Sequence, residues 1–181
     1  MLTVRELKEL AARLSEPYFC RQVGPYALVQ RPPRPVAEQL AVRMGLVRTV
    51  TRGGTGSEAL LPVSLLLHVD SLRVATPPQQ RQQEALGVGR RPDCELPLTD
   101  VSVSTLHAVL RWHAPTSTCC VTDLQSTHGT HLNGQPLTPM QEHVVRDGDV
   151  LSFGEVDFGF FVARSLWARL AARAEPARLH A

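Results

Sequence analysis

The sequence predicts an all-β sandwich or barrel across residues 59–163, with helices at the two ends of the chain. Three observations carry this. Short apolar runs recur between Gly, Pro, Asn and Asp turn signals, at Leu65–Val69, Leu72–Thr76, Ala85–Val88, Glu95–Leu98, His107–His113, Cys119–Leu124, His131–Leu132, Val144–Val145, Val150–Phe153 and Phe158–Ala163. Asn133-Gly134 separates Thr130-His131-Leu132 from Gln135-Pro136-Leu137, and Asn-Gly suits the positive φ angles of a type I′ hairpin turn. Helical spacing of apolar residues is confined to the parts of the chain outside this block. Of the 181 residues 43% are hydrophobic, enough for a packed core and too many for wholesale disorder. Aromatics are only 5%, so that core is built mostly of Leu, Val and Ala.

Each outer element has its own signal. Thr3-Val4-Arg5-Glu6 has the spacing of a capping box, and Leu7, Leu10, Ala11 and Leu14 follow at helical intervals until Pro17. This predicts a helix over 3–15. Tyr26–Gln30 reads as a strand, broken by Arg31-Pro32-Pro33-Arg34-Pro35. Val36, Leu40 and Met44 suggest a second helix ending at Gly45, Leu46–Thr51 a further strand, and Arg52-Gly53-Gly54-Thr55-Gly56-Ser57 a loop or linker. The polar segment Pro77–Glu84 separates two β runs, and Arg164–Ala174 is helical again, with Leu166, Trp167, Leu170 and Ala171 on one side. The divisions are therefore a helix/strand extension over 1–58, a β domain over 59–163, and a C-terminal helix and tail over 164–181. Short isolated helices are marginal in water, so both terminal helices are expected to dock on the β block.

Charge and composition narrow the function. The net charge of +2 is unevenly spread: residues 1–58 carry nine basic and five acidic side chains, 59–162 six and eleven, and 163–181 four and one. The acidic β block is a poor surface for a polyanion, which disfavours extended nucleic-acid binding but leaves room for a small anion site made by one or two arginines. The longest apolar stretch, Ala59–Leu67, falls well short of the ~20 residues of a membrane span, and the first ten residues lack the apolar block of a signal peptide. A soluble, cytoplasmic protein without a membrane partner is expected. Arg accounts for 18 of the 19 basic residues, which suggests a GC-rich, bacterial genome. Cys20, Cys94, Cys119 and Cys120 are too few and too irregular for a disulfide scaffold and read as reduced thiols. Cys119 and Cys120, as neighbours in a strand, point to opposite faces. A zinc set from Cys94, Cys119, Cys120 and a histidine lacks Cys-x-x-Cys spacing, so no metal and no cofactor is expected. The chain has no Gly-x-Ser-x-Gly elbow, no Gly-x-x-x-x-Gly-Lys loop and no paired-His zinc motif, so it is not read as an enzyme.

Three loops of the β block share a chemistry. Gly89-Arg90-Arg91-Pro92 follows one strand, Ser102-Val103-Ser104-Thr105-Leu106-His107 enters another, and Asp123-Leu124-Gln125-Ser126-Thr127-His128-Gly129-Thr130 precedes Asn133-Gly134 and the late Asp147-Gly148-Asp149…Phe153-Gly154. Together these resemble the forkhead-associated (FHA) domain, whose pattern is Gly-Arg, Ser-Arg-x-His, Ser-x-Asn-Gly-Thr, Asn-Gly and a late Gly-Asp…Gly. The resemblance spans about residues 84–154, in order, and the surrounding strands extend it to about 60–163. It implies an antiparallel β-sandwich of about eleven strands whose loops at one end bind phosphothreonine. The implied partner is a phosphothreonine-containing protein, the substrate of a Ser/Thr kinase, and the implied role is a protein–protein contact in signalling.

On that resemblance Arg90, Ser104 and Thr127 contact the phosphate, and Thr105 and His128 contact the peptide. Gly89, His107, Gly129, Asn133 and Gly134 are architectural: Gly89 because a side chain would crowd the loop, His107 as a prop between loops, Asn133-Gly134 as a turn near the binding edge. Arg91 is expected to face solvent, and Trp112, Phe153 and Trp167 to serve the core or dock a helix. The chemistry agrees with the resemblance. A phosphothreonine brings about −1.5 to −2 charge and three acceptor oxygens, which call for a planar cation and hydroxyl donors on a rigid frame. Two positions depart from the family pattern. Thr105 stands where Arg or another long polar residue is usual, and His128 stands where Asn usually holds the peptide backbone. These support a second reading, a phospho-independent scaffold or oligomerisation protein.

Overall fold

The computed structural model describes residues 2–33, 63–77 and 85–174. The helix expected over Val36–Met44, the strand over Leu46–Thr51 and the linker at 52–57 lie outside them. Within the described residues the chain forms twelve strands in two sheets, with helices packed on one of them. Strand β1 is Leu2–Thr3, followed by helices α1 (Val4–Arg13) and α2 (Glu16–Val23), strand β2 (Tyr26–Gln30), a short helix α3 (Val63–Leu66) and strand β3 (Arg73–Ala75). Then come β4 (Ala85–Gly89), β5 (Leu96–Pro97), β6 (Ala108–His113), β7 (Thr118–Asp123), β8 (Thr130–Leu132), β9 (Gln135–Pro136), β10 (Glu142–Val145), β11 (Val150–Phe153), β12 (Val156–Val162) and helix α4 (Ala163–Ala174).

The seven-stranded sheet has the order β1-β3-β2-β12-β11-β8-β9 and the five-stranded sheet β10-β7-β6-β4-β5. All pairs are antiparallel except β4 with β5. One apolar core lies between the sheets, with Leu28, Phe158 and Phe160 from one and Leu86, Val88, Leu110 and Val121 from the other. A second core lies between the outer face of the seven-stranded sheet and the helices, joining Val4, Leu7, Phe19, Leu66, Leu166 and Leu170 to Ala27, Val29 and Phe161. Strand β2 serves both: Tyr26 and Leu28 face inward, Ala27 and Val29 face the helices, and all four are buried. This is why Tyr-Ala-Leu-Val reads as an unbroken apolar run and not an alternation.

Helix α1 begins as expected. The Thr3 hydroxyl accepts from the Glu6 backbone N–H at 3.3 Å, and the Glu6 carboxylate accepts from the Thr3 N–H at 2.6 Å. Pro17, which the spacing predicts as a stop, instead lies in the first turn of a second helix, α2, with Ser15 at its N-terminal boundary. Proline is tolerated there because its missing N–H has no intrahelical partner in the first turn. The Leu65–Val69 run is a correction. It is the end of α3 and a tight turn, with His68 N–H bonded to Leu65 C=O at 2.9 Å and Val69 N–H to Leu66 C=O at 3.1 Å. Consecutive Leu66 and Leu67 are both buried, which an alternating strand on one core does not allow. The terminal helices dock on the sheet, and Trp167 Nε1–H donates to the Leu14 carbonyl at 3.0 Å, tying α4 to the end of α1. No described helix is long and apolar enough to cross a membrane.

Candidate functional site

Three connections meet at one end of the sandwich: β4–β5, β5–β6 and β7–β8. Strand β4 ends on Gly89, where an added Cβ would lie 2.3 Å from the Thr105 carbonyl oxygen and 3.1 Å from Cys94 Sγ. Only glycine lets these two connections touch. Beyond it the Arg90 N–H donates to the Ser104 carbonyl at 2.9 Å, and the Arg91 N–H to that of Thr105 at 3.3 Å. The two neighbouring arginines then diverge. Arg91 forms a bidentate ion pair with Asp93, Nε to Oδ1 at 2.8 Å and Nη2 to Oδ2. Arg90 is exposed and makes no ion pair among the described residues.

Ser104 joins the second connection to the third. Its Oγ accepts from the Thr127 backbone N–H at 3.0 Å and lies 3.4 Å from Thr127 Oγ1. Arg90, Ser104 and Thr127 are thus brought together by direct bonds between their loops, two by side chain and one by backbone. Thr105 and His128 follow them as exposed loop residues.

Beneath these loops sits His107, fully buried and edge-on to Phe153. Its Nδ1 accepts from the Ser104 N–H at 3.0 Å, so the ring proton of the neutral imidazole is on Nε2, which donates to the Gly129 carbonyl at 3.2 Å. One side chain therefore pins both the Ser104 loop and the Thr127 loop. Burial holds its pKa below the usual imidazole value, against the raising effects of the Gly129 carbonyl and Asp123. Gly129 itself has φ +75°, in the left-handed region.

Asp123 was not singled out in the sequence, yet it shapes the third connection. It is buried, and its carboxylate accepts from Ser126 N–H at 3.1 Å, Ser126 Oγ at 2.5 Å and Thr130 Oγ1 at 2.6 Å. Burial pushes its pKa up, but the bonds from Ser126 and Thr130, helped by His107, outweigh this and hold it below the ordinary carboxylate value. The signal was present as Asp-x-x-Ser, a spacing at which a carboxylate closes a loop on itself. Ser102 braces the second connection in the same way. Its Oγ donates to Asp100 at 2.6 Å and accepts from the Glu155 N–H at 2.8 Å, and a Cβ on Gly154 would lie 2.6 Å from it.

Asn133 and Gly134 form the hairpin turn as expected, with φ of 52° and 79°. Their position near the binding edge is corrected. Thr130 pairs with Phe153 and Leu132 with Leu151, so β8 carries the chain away from the Thr127 loop by about 10 Å, three residues at the strand rise. The Asn133 side chain instead ties the opposite end together, donating to Asp149 at 2.8 Å and accepting from the Val150 N–H at 2.8 Å.

The part of the chain that carries these loops matches a known family. The FHA domain family model matches residues 86–154. Over 72 residues the chain is 38% identical to FHA domain-containing protein PS1 of Arabidopsis thaliana, which covers 40% of this chain and 5% of that protein. Over 67 residues it is 37% identical to FHA domain-containing protein FhaA of Mycobacterium tuberculosis, covering 37% and 12% respectively. The chain spans only a small part of the length of these curated relatives. A solved structure from a study of phosphothreonine-dependent FHA domain interactions matches 50% of this chain and 84% of its own, at 29% identity and a TM-score of 0.42.

Proposed function

Taking as premise that the chain carries an FHA domain over residues 86–154, we propose that it is a phosphothreonine-peptide binding module in protein–protein signalling. It binds and does not catalyse. The phosphate sits where Arg90, Ser104 and Thr127 converge, with Thr105 and His128 beside the peptide. The observation that supports this most is the 3.0 Å bond from the Thr127 N–H to Ser104 Oγ, which holds two hydroxyl side chains of separate loops side by side. A hydroxyl has one proton and two lone pairs, so Ser104 can keep that bond as acceptor while donating its proton to a phosphate oxygen. Arg90 supplies the charge, because its guanidinium is not committed to an ion pair among the described residues, whereas that of Arg91 is bound by Asp93. The anchored backbone of Arg90 fixes where the side chain starts.

Charge-assisted bonds contribute about 1.5–3 kcal/mol each, so Arg90→Ala is expected to weaken phosphopeptide binding about 10- to 100-fold. Titration of matched phosphorylated and unphosphorylated threonine peptides into wild type and Arg90→Ala tests the reading. Binding confined to the phosphorylated peptide and lost in the variant supports it. Equal binding of both peptides, unchanged by the substitution, favours the scaffold reading. One observation leans toward that second reading: Val101 and Leu106, on the same loop as Ser104, expose 87% and 49% of their surface, an apolar contact that needs no phosphate.

A further inference from the structure

The outward face of the five-stranded sheet holds a second cluster of chemically capable side chains. Residue alternation assigns it. Cys119 and Val145 lie in the core between the sheets, and Trp112 packs against that core. Their neighbours Cys120, Val144 and His113 therefore face the other way, together with Glu142 two residues before Val144. Strand pairing sets Cys120 opposite Arg111 on β6 and opposite Val144 on β10, so His113 and Glu142 are its diagonal neighbours on either side. One ligand atom from each of His113, Cys120 and Glu142 lies within 4.8 Å of the other two.

We propose that His113, Cys120 and Glu142 form a binding site for a divalent borderline metal ion, Zn²⁺ foremost, that cross-braces β6, β7 and β10. The donor set decides the class. An imidazole nitrogen, a thiolate sulfur and one carboxylate oxygen suit Zn²⁺ and its first-row neighbours and not the oxygen-seeking Mg²⁺ or Ca²⁺. In a tetrahedral zinc site such donors lie about 3.3–3.8 Å apart, so the three need only close in by rotations of their side chains. Three protein ligands leave the fourth position to water. On binding, the Cys120 thiol gives its proton to solvent and its sulfur becomes the ligand. The charged neighbour is Arg111, whose Nη1 is 3.4 Å from Glu142 Oε1. Both partners of that pair are about half exposed, so it is a weak competitor, and among the described residues the second carboxylate oxygen makes no ion pair. The site escapes a reading of the sequence because its ligands are 7 and 22 residues apart on three different strands, and only the sheet register collects them.

The test is titration of Co²⁺ alone into reduced, tag-free full-length protein. The expected result is a thiolate-to-cobalt charge-transfer band that saturates at one equivalent and is displaced by Zn²⁺. Zn²⁺ should also raise the thermal midpoint, because it binds the folded chain preferentially. Cys120→Ser should abolish the band, His113→Gln and Glu142→Gln should each weaken Co²⁺ binding more than about tenfold, and Cys20→Ser should leave it unchanged. No band in folded wild type overturns the proposal, as does a band that survives Cys120→Ser. If Cys120→Ser does not fold, the two glutamine variants decide: binding unchanged in both overturns the site.

Discussion

At Gly89 a single hydrogen atom in place of a methyl group decides whether the site can exist. The Cβ of an alanine there would stand 2.3 Å from a backbone oxygen of the Ser104 loop, and backbone cannot swing aside as a side chain tip can. Gly89→Ala is therefore expected to weaken phosphopeptide binding even where the protein still folds, by pushing the Arg90 and Ser104 loops apart. Urea unfolding run alongside peptide titration measures both effects, and wild-type affinity in the variant would contradict the geometry. His107 sets a pH dependence at the same scale. In the unfolded chain its ring takes a proton near the ordinary value of 6.5, whereas burial depresses the value in the fold. The stability due to the buried neutral ring is thus fully present above about pH 6.5 and declines as pH falls below it, because the unfolded state then binds the extra proton. Urea midpoints of wild type should drop between about pH 7.5 and 5.5. In His107→Gln, whose amide can accept from Ser104 and donate to Gly129, that drop should be smaller. An equal drop in both proteins would assign the effect to other groups.

At the scale of elements, what was legible in the sequence is what is decided locally. The Thr3–Glu6 capping box, the Asn133-Gly134 turn and the Tyr26–Gln30 strand are where their own residues put them. The misreadings arise where neighbours decide. Pro17 falls in the first turn of a new helix because the chain turns at Ser15, and the end of α3 with its turn lets consecutive Leu66 and Leu67 enter the one core beneath the helices. The three loops of the candidate site were legible through the order of their motifs, whereas Asp123 was not, because its role depends on Ser126 and Thr130 returning to one carboxylate. Helix α4 shows what a peripheral element contributes. Leu166 is fully buried in the second core, and Arg169 pairs with Asp147 at 2.7 Å while lying 5.8 Å from the Phe161 ring centre. Leu166→Ala is expected to destabilise the protein by about 2–5 kcal/mol, mainly through the cavity it leaves. Chemical denaturation reads this directly. A change under about 1 kcal/mol would mean that α4 merely rests on the sheet.

At the scale of the whole molecule, the pairing runs across the boundary drawn in sequence at residue 58. Strand β2 sits in the interior of the seven-stranded sheet, with Val29 opposite Gly159 on β12 and opposite Val74 on β3. Its partner β12 is more than a hundred residues away in the chain, a distance over which no local pattern can signal pairing. Removing residues 1–33 would strip the ladder from one edge of β12, detach β3 from the sheet, and expose Phe161, Leu166 and Leu170, which α1 and α2 now help to cover. The bare edge and apolar face together make a surface prone to association. A fragment of residues 59–181 is therefore expected to be aggregated or to lose cooperative unfolding, even though every proposed phosphate contact lies inside it. The expectation separates stability from recognition. Thermal unfolding and size-exclusion chromatography of the fragment test the first, and peptide titration of any soluble fraction tests the second. A monomeric fragment with a sharp, wild-type transition would show that the N-terminal strand and helices are an accessory layer and that the loops need only the β block behind them.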